Sequence, residues 1–378
     1  MKPYLKRAWA EISLPQLRKN YGIIKNLNSP PTEIMAVVKA DAYGHGDEHI
    51  IRCLADDCGV KYFAVSNLDE ALTVRGFCPE ADILILGYTP PEYAHEISTN
   101  NIIQGVVSEE YAEALAKNTP DPIRCHIKLD TGMGRIGLKY ALPEDCAAEV
   151  MRIMHIEKIS AEGIYTHFAA ADSDSPDNIS YTDRQEKFIL DTNEILLKHG
   201  IHFPHVHFMN SAAVCYRNTP KSTLARAGII LYGLHPDASL PIPDGLEPIM
   251  ELKAVISQVK TVNAGTCISY GRTFTADRKM RIATVTIGYA DGYSRLLSSK
   301  GEILVHGKRC KIVGRVCMDQ LMIDVSAVSE AKSGDIVTLI GRDGDDRITA
   351  DDLASLYGTI GYEVVCGISK RVPRIYIY

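Results

Sequence analysis

The chain of 378 residues has one tryptophan and seven phenylalanines, so its aromatic content rests on 19 tyrosines. No apolar run approaches the ~20 residues a membrane-spanning helix needs. The opening Met-Lys-Pro-Tyr-Leu-Lys-Arg-Ala-Trp is basic but lacks the apolar core of a signal peptide. A formal net charge of −6 and the lack of any Lys/Arg cluster leave no basic field for nucleic acid. The ten cysteines contain no CxxC pair and no even framework, in a chain long enough to need no covalent staples. Free thiols in a reduced cytoplasm are the expectation, although Cys53 and Cys58, or Cys310 and Cys317, are close enough in sequence to be neighbours. No internal repeat or low-complexity segment is present.

What is there reads as an ordinary globular protein, 46% hydrophobic and 23% charged. Trp9–Ile12 reads as a lone strand, and Ser13 as the N-cap of a helix through about Asn26. Strand-like runs then recur at Ile34–Val38, Tyr62–Val65, Ile83–Leu86, Ile102–Val107, Ile123–Leu129, Ile159–Tyr165, Val206–Met209 and Thr223–Ala225. Helical stretches lie between them, with starts such as Ser66-Asn-Leu-Asp-Glu and Ser108-Glu-Glu. Eight such runs over about 200 residues are the spacing of a (β/α)₈ barrel of the TIM type. Near Pro241 the texture changes. Pro-Ile-Pro-Asp-Gly reads as a linker, and short β-branched runs alternate with glycines beyond it, the main helical pattern being Thr349-Ala-Asp-Asp-Leu-Ala-Ser-Leu-Tyr. The expected plan is a barrel domain over 1–240 and a mainly-β domain over 241–378, with residues 1–12 joining the second sheet.

The most informative stretch is Ile34-Met-Ala-Val-Val-Lys-Ala-Asp-Ala-Tyr-Gly-His-Gly46. A β-branched run suited to burial on both faces stops at Lys39, and an ammonium buried there is costly unless it is paired or chemically used. A lone strand-end lysine more often snorkels to water. The string Val-Val-Lys-Ala-Asp-Ala-Tyr-Gly-His-Gly, however, resembles the cofactor-lysine segment of the alanine racemase family. The resemblance implies a barrel enzyme with Lys39 carrying pyridoxal 5′-phosphate (PLP) as a Schiff base and Tyr43 contacting its phosphate.

In a barrel, the site lies where strands end. Lys128, Asp130 and Arg135 follow the fifth run and His167 the sixth; Asn210 and Ser211 follow the seventh, and Arg226, Gly228 and Ile229 the eighth. Phosphate sites favour the last two of these loops, which offer a hydroxyl and a glycine backbone. Lys128-Leu-Asp-Thr-Gly-Met-Gly-Arg-Ile-Gly137 contains a formal GxGxxG, but Arg135 would fill the pyrophosphate approach. It resembles instead the racemase motif Lys-x-Asp-Thr-Gly-Met-x-Arg. That likeness gives Arg135 the substrate carboxylate and the cofactor's phenolic oxygen, and gives Lys128 the place of a lysine often carbamylated to hold the arginine. His202, His205 and His207, and the pair His45 and His49, invite a metal reading, but no carboxylate or thiol completes a set, so no metal is expected. His167 alone reads as a hydrogen-bonded barrel residue; by resemblance it stacks on the pyridine ring. Arg226 reads either as a barrel-wall ion pair or, by resemblance, as the donor to the pyridine nitrogen, which would weaken the ring as an electron sink.

In the second region Gly265-Thr-Cys-Ile-Ser-Tyr-Gly-Arg272 resembles the segment carrying the second catalytic base, here Tyr270, for which His167 would supply positive polarisation. Similar matches set Tyr289 and Met318 near the substrate, with Asp319 ordering the loop. The C-terminal Ile368-Ser-Lys-Arg-Val-Pro-Arg374 departs from a family pattern with tyrosine at the third position. Lys370 would still bind phosphate as a point charge but removes an aromatic wall. The implied activity is two-base interconversion of L- and D-alanine by Lys39 and Tyr270, in a cytoplasmic homodimer that shares its sites and supplies D-alanine for peptidoglycan. The alternatives are serine or broader racemisation, a basic amino-acid decarboxylase of the same plan (opposed by Arg226), and a non-catalytic PLP carrier (opposed by Tyr270).

Overall fold

The computed structural model describes residues 6–28, 30–217 and 219–378. Strand β1 (Ala8–Ser13) hands over to a helix at Leu14–Leu27, where the Ser13 side chain accepts from the Gln16 amide. That cap satisfies one of the helix's free donors, as the sequence predicts. Eight parallel strands follow: β2 Glu33–Val37, β3 Tyr62–Val65, β4 Asp82–Ile85, β5 Ile103–Val106, β6 Ile123–Lys128, β7 Ile159–Tyr165, β8 His205–His207 and β9 Leu224–Ala227. They pair in the order β8-β7-β6-β5-β4-β3-β2-β9. The ring closes at a Met209–Ala225 bridge, where the Arg226 amide donates to Met209 O at 3.1 Å.

Met35, Ala36, Ile83, Leu84 and Ile85 are fully buried, since barrel strands are covered on both faces. The surrounding helices are apolar on one stripe only. Glu109–Lys117 buries Tyr111, Ala112, Leu115 and Ala116, carries Glu109 and Glu110 in its first turn, and is capped by Ser108. The fold is the expected (β/α)₈ barrel followed by a mainly-β region.

Beyond the barrel, β10 (Met250–Val262) is the spine of a nine-stranded sheet. Its neighbours include Ile336–Asp343 and Met280–Val285, and Leu321–Asp324 pairs with the latter. Strand β1 inserts between β10, to which it is antiparallel, and the parallel Arg374–Ile377, so the first and last described strands are neighbours in this sheet. The Thr349 helix forms at Ala350–Tyr357 with a capping box to Asp352. A second helix at Gly361–Cys366, six residues long, is too short for a 3.6-residue period to reveal.

Candidate active site

Strand β2 ends by docking the Val38 amide on Ala64 O at 3.0 Å, and Lys39 comes next. The following Ala40, Asp41, Ala42 and Tyr43 all have φ of 51 to 55° and ψ of 39 to 52°, a full left-handed turn. Left-handed backbone costs roughly 1–2 kcal/mol per non-glycine residue. The turn buries Tyr43 at the mouth of the barrel and sets Lys39, half-buried, beside it, its Nζ 6.0 Å from the Tyr43 ring centroid.

Lys39 and Tyr43 line a cavity of about 270 Å³ with His167, Asn210, Ser211, Arg226 and Gly228, and with Met133, Asp172 and Tyr362. The sequence-predicted residues thus converge from β2, β7, β8 and β9. At one end the Gly228 amide donates to Ser211 Oγ at 2.9 Å. A Cβ on Gly228 would lie 2.7 Å from Tyr43 Oη and 3.4 Å from Ser211 Oγ, so only glycine lets the backbone reach these two hydroxyls. Asn210 caps the Ser211–Tyr216 helix through the Ala213 amide at 3.0 Å. Ile229 is buried behind Gly228 and lines no part of the cavity.

At the other end Arg226 is fixed by its partners. One terminal nitrogen donates to His207 Nδ1 at 2.8 Å and the other to Thr166 O at 2.7 Å. Arginine has no acceptor, so His207 Nδ1 must accept and its Nε2 must carry the proton given to His126 Nδ1 at 3.0 Å. Both imidazoles are buried and held far below the ordinary histidine range, His126 down to about 3, first by burial. They are neutral, and the tautomer chain follows from the arginine. Burial lowers Arg226 only to about 10, so it stays cationic.

The site is rich in positive charge. His167 is held well below its usual pKa by burial and then by Arg226, Lys128, Arg135 and Lys39. Burial and Arg135 also depress Lys39, while burial, Arg135 and Arg226 bring Lys128 down to about 8. Asp130 is engaged in its own loop, where Oδ1 accepts from Gly134 N at 2.9 Å and Gly132 N at 3.2 Å. Positive charge therefore gathers around the cavity. The cations that lower His167 add positive charge of their own around the ring.

Two of the predicted residues stand off the cavity wall. Lys370 is exposed and does not line the cavity; the aromatic wall is Tyr362, from the short Gly361–Cys366 helix, its ring 6.1 Å from that of Tyr43. Arg135 is exposed, near enough to act electrostatically on Lys39, Lys128 and His167 but off the cavity wall.

Tyr270 is not brought to Lys39. It lines a separate surface depression with Ser269, Cys317, Met318, Asp319 and Gln320. Tyr270 is 70% exposed, Met318 52% and Tyr289 41%, and the Tyr289 amide is held by Cys317 O at 3.0 Å. Asp319 accepts from Arg371 at 2.7 Å, in keeping with an ordered loop. Among the described residues no three His, Cys, Asp or Glu side chains are grouped to hold a metal ion. His45 instead stacks on Tyr232 and His49 on Tyr376.

Comparison with known proteins accords with this geometry. The family profile "Alanine racemase, N-terminal domain" matches residues 12–236 and "Alanine racemase, C-terminal domain" matches 249–376. An alanine racemase from Desulfovibrio desulfuricans is 42% identical over the whole of both chains, and one from Methanococcus maripaludis is 40% identical over 98% of each. The crystal structure of the Bacillus anthracis alanine racemase with bound L-Ala-P superposes with a TM-score of 0.92 at 37% identity, covering 100% of this chain and 96% of that one. With both profiles together spanning nearly its whole length, the chain belongs to the alanine racemase family.

Proposed function

We propose that the protein interconverts L- and D-alanine with PLP as cofactor. The observation that carries this reading is the convergence of Lys39, a hydroxyl-and-amide cradle and a buried cationic arginine around one cavity. The residues fit the cofactor. Tyr43 Oη, Ser211 Oγ and the Gly228 loop suit a phosphate, Arg226 suits the ring nitrogen, and His167 suits a ring face. When bound, PLP acidifies the amino acid's α-proton by conjugation.

The chain's own groups do the rest. Burial keeps Tyr43 a neutral donor by raising its phenol above the usual range. Arg226 cannot become an acid-base partner, because it stays protonated and its other N–H groups are spent on His207 and Thr166. Lys39, with its proton affinity lowered, is suited to take a proton from one face of the α-carbon and to return it. Arg135 at the mouth suits the substrate carboxylate. The second face needs a second base, and Tyr270, exposed beside Met318 and Tyr289, suits that part when a second copy of the chain closes over the cavity. A homodimer with shared sites is therefore part of the proposal. So are a barrel unit over 1–240, a β unit over 241–378 and a cytoplasmic role in supplying D-alanine for peptidoglycan. Lys128, with a pKa near 8, has free amine for carbamylation at neutral pH, and Arg135 and Arg226 are on hand to pair with the product anion.

The test combines turnover with chemistry on the lysine. Purified protein loaded with PLP should racemise L-alanine, and borohydride should fix the cofactor to Lys39. Label on another lysine, or colour without racemisation, overturns the reading.

A further inference from the structure

Four successive left-handed residues without glycine or asparagine do not hold themselves, so the Ala40–Tyr43 turn must be held from outside. The barrel supplies part of the restraint. Glu70 Oε1 accepts from the Ala40 amide at 2.8 Å, and Oε2 accepts from the Ser66 amide at 2.8 Å. The rest comes from the far end of the chain. Arg374 Nε donates to Gly44 O at 2.9 Å, while its other nitrogens donate to Val372 O at 2.7 Å and Ile368 O at 2.6 Å. Tyr376 Oη donates to His45 O at 3.1 Å, and its ring stacks on His49 with centroids 3.8 Å apart. The fit is close: a Cβ on Gly46 would overlap Tyr376 Oη, and one on Gly44 would overlap Val365 O. Neither Arg374 nor Tyr376 lines the cavity.

We infer that Arg374 and Tyr376 are positioning residues for the cofactor lysine: the last strand clamps the left-handed turn and so fixes where the Lys39 amine stands. The inference rests on the reading of Lys39 given above. It accounts for an arginine spending its donors on carbonyls of two segments more than 300 residues apart in sequence. A displacement of about 1 Å at a reacting group is enough to cost on the order of a hundredfold in rate.

The experiment uses the full-length, PLP-loaded protein with Arg374→Ala, Arg374→Lys and Tyr376→Phe. The titratable groups acting on Lys39, namely Arg135, Glu70 and Cys366, are untouched in all three. Three quantities are read: kcat and KM for alanine, the midpoint of the pH titration of the lysine-bound cofactor band, and amide hydrogen exchange in the peptide spanning 39–46. Arg374→Ala should lower kcat about ten- to a hundredfold with KM changed less, shift the titration midpoint and speed exchange in that peptide. Arg374→Lys, which can still reach Gly44 O, should recover part of each. Tyr376→Phe keeps the stacked ring and should give a smaller shift in the same direction. An unshifted midpoint with unchanged exchange in Arg374→Ala overturns the clamp, and if that variant fails to fold, the same result in Tyr376→Phe does so. Borohydride label on Lys39 without a shift defeats the clamp alone, whereas label elsewhere defeats the assignment of Lys39.

Discussion

Tyr43, proposed to meet the cofactor's phosphate, and Tyr270, proposed as the second base, stand in opposite surroundings. Tyr43 is 7% exposed, locked in a left-handed turn, with Tyr232 at 5.1 Å between ring centroids. Tyr270 is 70% exposed on a turn whose Ser269, Gly271 and Arg272 all have positive φ. The barrel mouth is thus largely organised within one chain: Arg226, His207 and Ser211 are already held by hydrogen bonds around the cavity. The second-domain surface is strained and open, with Tyr270 and Met318 exposed beside Asp319 and Gln320. The contrast is between an enclosed cavity and an open surface, which the proposed dimer would bring together.

The sharpest way to break that comparison is to damage each half separately. Lys39→Ala and Tyr270→Ala should each lose at least about a thousandfold in activity, since each removes a positioned acid-base group. Mixed with free subunit exchange, the two inactive proteins should recover about a quarter of the sites, because half the dimers are mixed and one of their two sites is whole. If Tyr270 served its own barrel, every site would carry a lesion. No recovery after confirmed exchange would then end the idea of two half-sites from two chains.

Next in size is Tyr362→Ala. Tyr362 belongs to the enclosed half, and its loss opens the wall beside Tyr43. We expect a fall in kcat/KM of about tenfold or more, the scale of an aromatic contact worth over 1 kcal/mol, together with weaker PLP retention on dialysis. Retained cofactor and unchanged kcat/KM would remove Tyr362 from the site.

The strands and the convergence at their ends were legible because short continuous apolar runs and strand-end charges need no tertiary knowledge. Ser13 announced its helix by cap chemistry, and the Thr349–Tyr357 stretch announced its own by its helical pattern. Tyr362 was not legible, since six residues show no period and Lys370, eight positions on, occupied a more conspicuous motif. Nor was the left-handed turn: Ala40 to Tyr43 carry no conformational signal, and the only hint was the two glycines at 44 and 46, which the clamp requires. The Arg226–His207–His126 chain joins residues up to a hundred positions apart, and a single sequence does not pair them.

A smaller effect concerns the charge that the turn tolerates. Burial, then Asp41 and Glu70, push the Asp47 carboxyl up to about 7, against a backbone hydrogen bond from Ala42 and the charge of Lys370. Below the ordinary carboxylate range, near pH 3.9, the group is neutral folded or unfolded. As pH rises from there to about 7 the unfolded chain ionises first, so the folded state loses stability through that window. Asp47→Asn should therefore raise Tm more at pH 8 than at pH 5. An equal change at both pH values would mean that Asp47 carries no such penalty.

The smallest expected effect is at Lys370, and it bears on specificity. From sequence alone, a lysine in place of a tyrosine suggested a missing wall and a pocket open to serine. In the fold Lys370 is exposed, while Tyr362 occupies the wall and the cavity stays lined by Lys39, Met133 and Tyr362. A surface side chain outside the cavity has little hold on which substituent fits inside; changes of that kind are usually worth under about 0.5 kcal/mol. Lys370→Tyr should leave the ratio of kcat/KM for alanine to that for serine within about twofold of wild type, whereas Tyr362→Ala should move it further. If the order is reversed, Lys370 reaches the substrate in the assembled enzyme, and the boundary between the enclosed and the open half lies elsewhere than the single chain suggests.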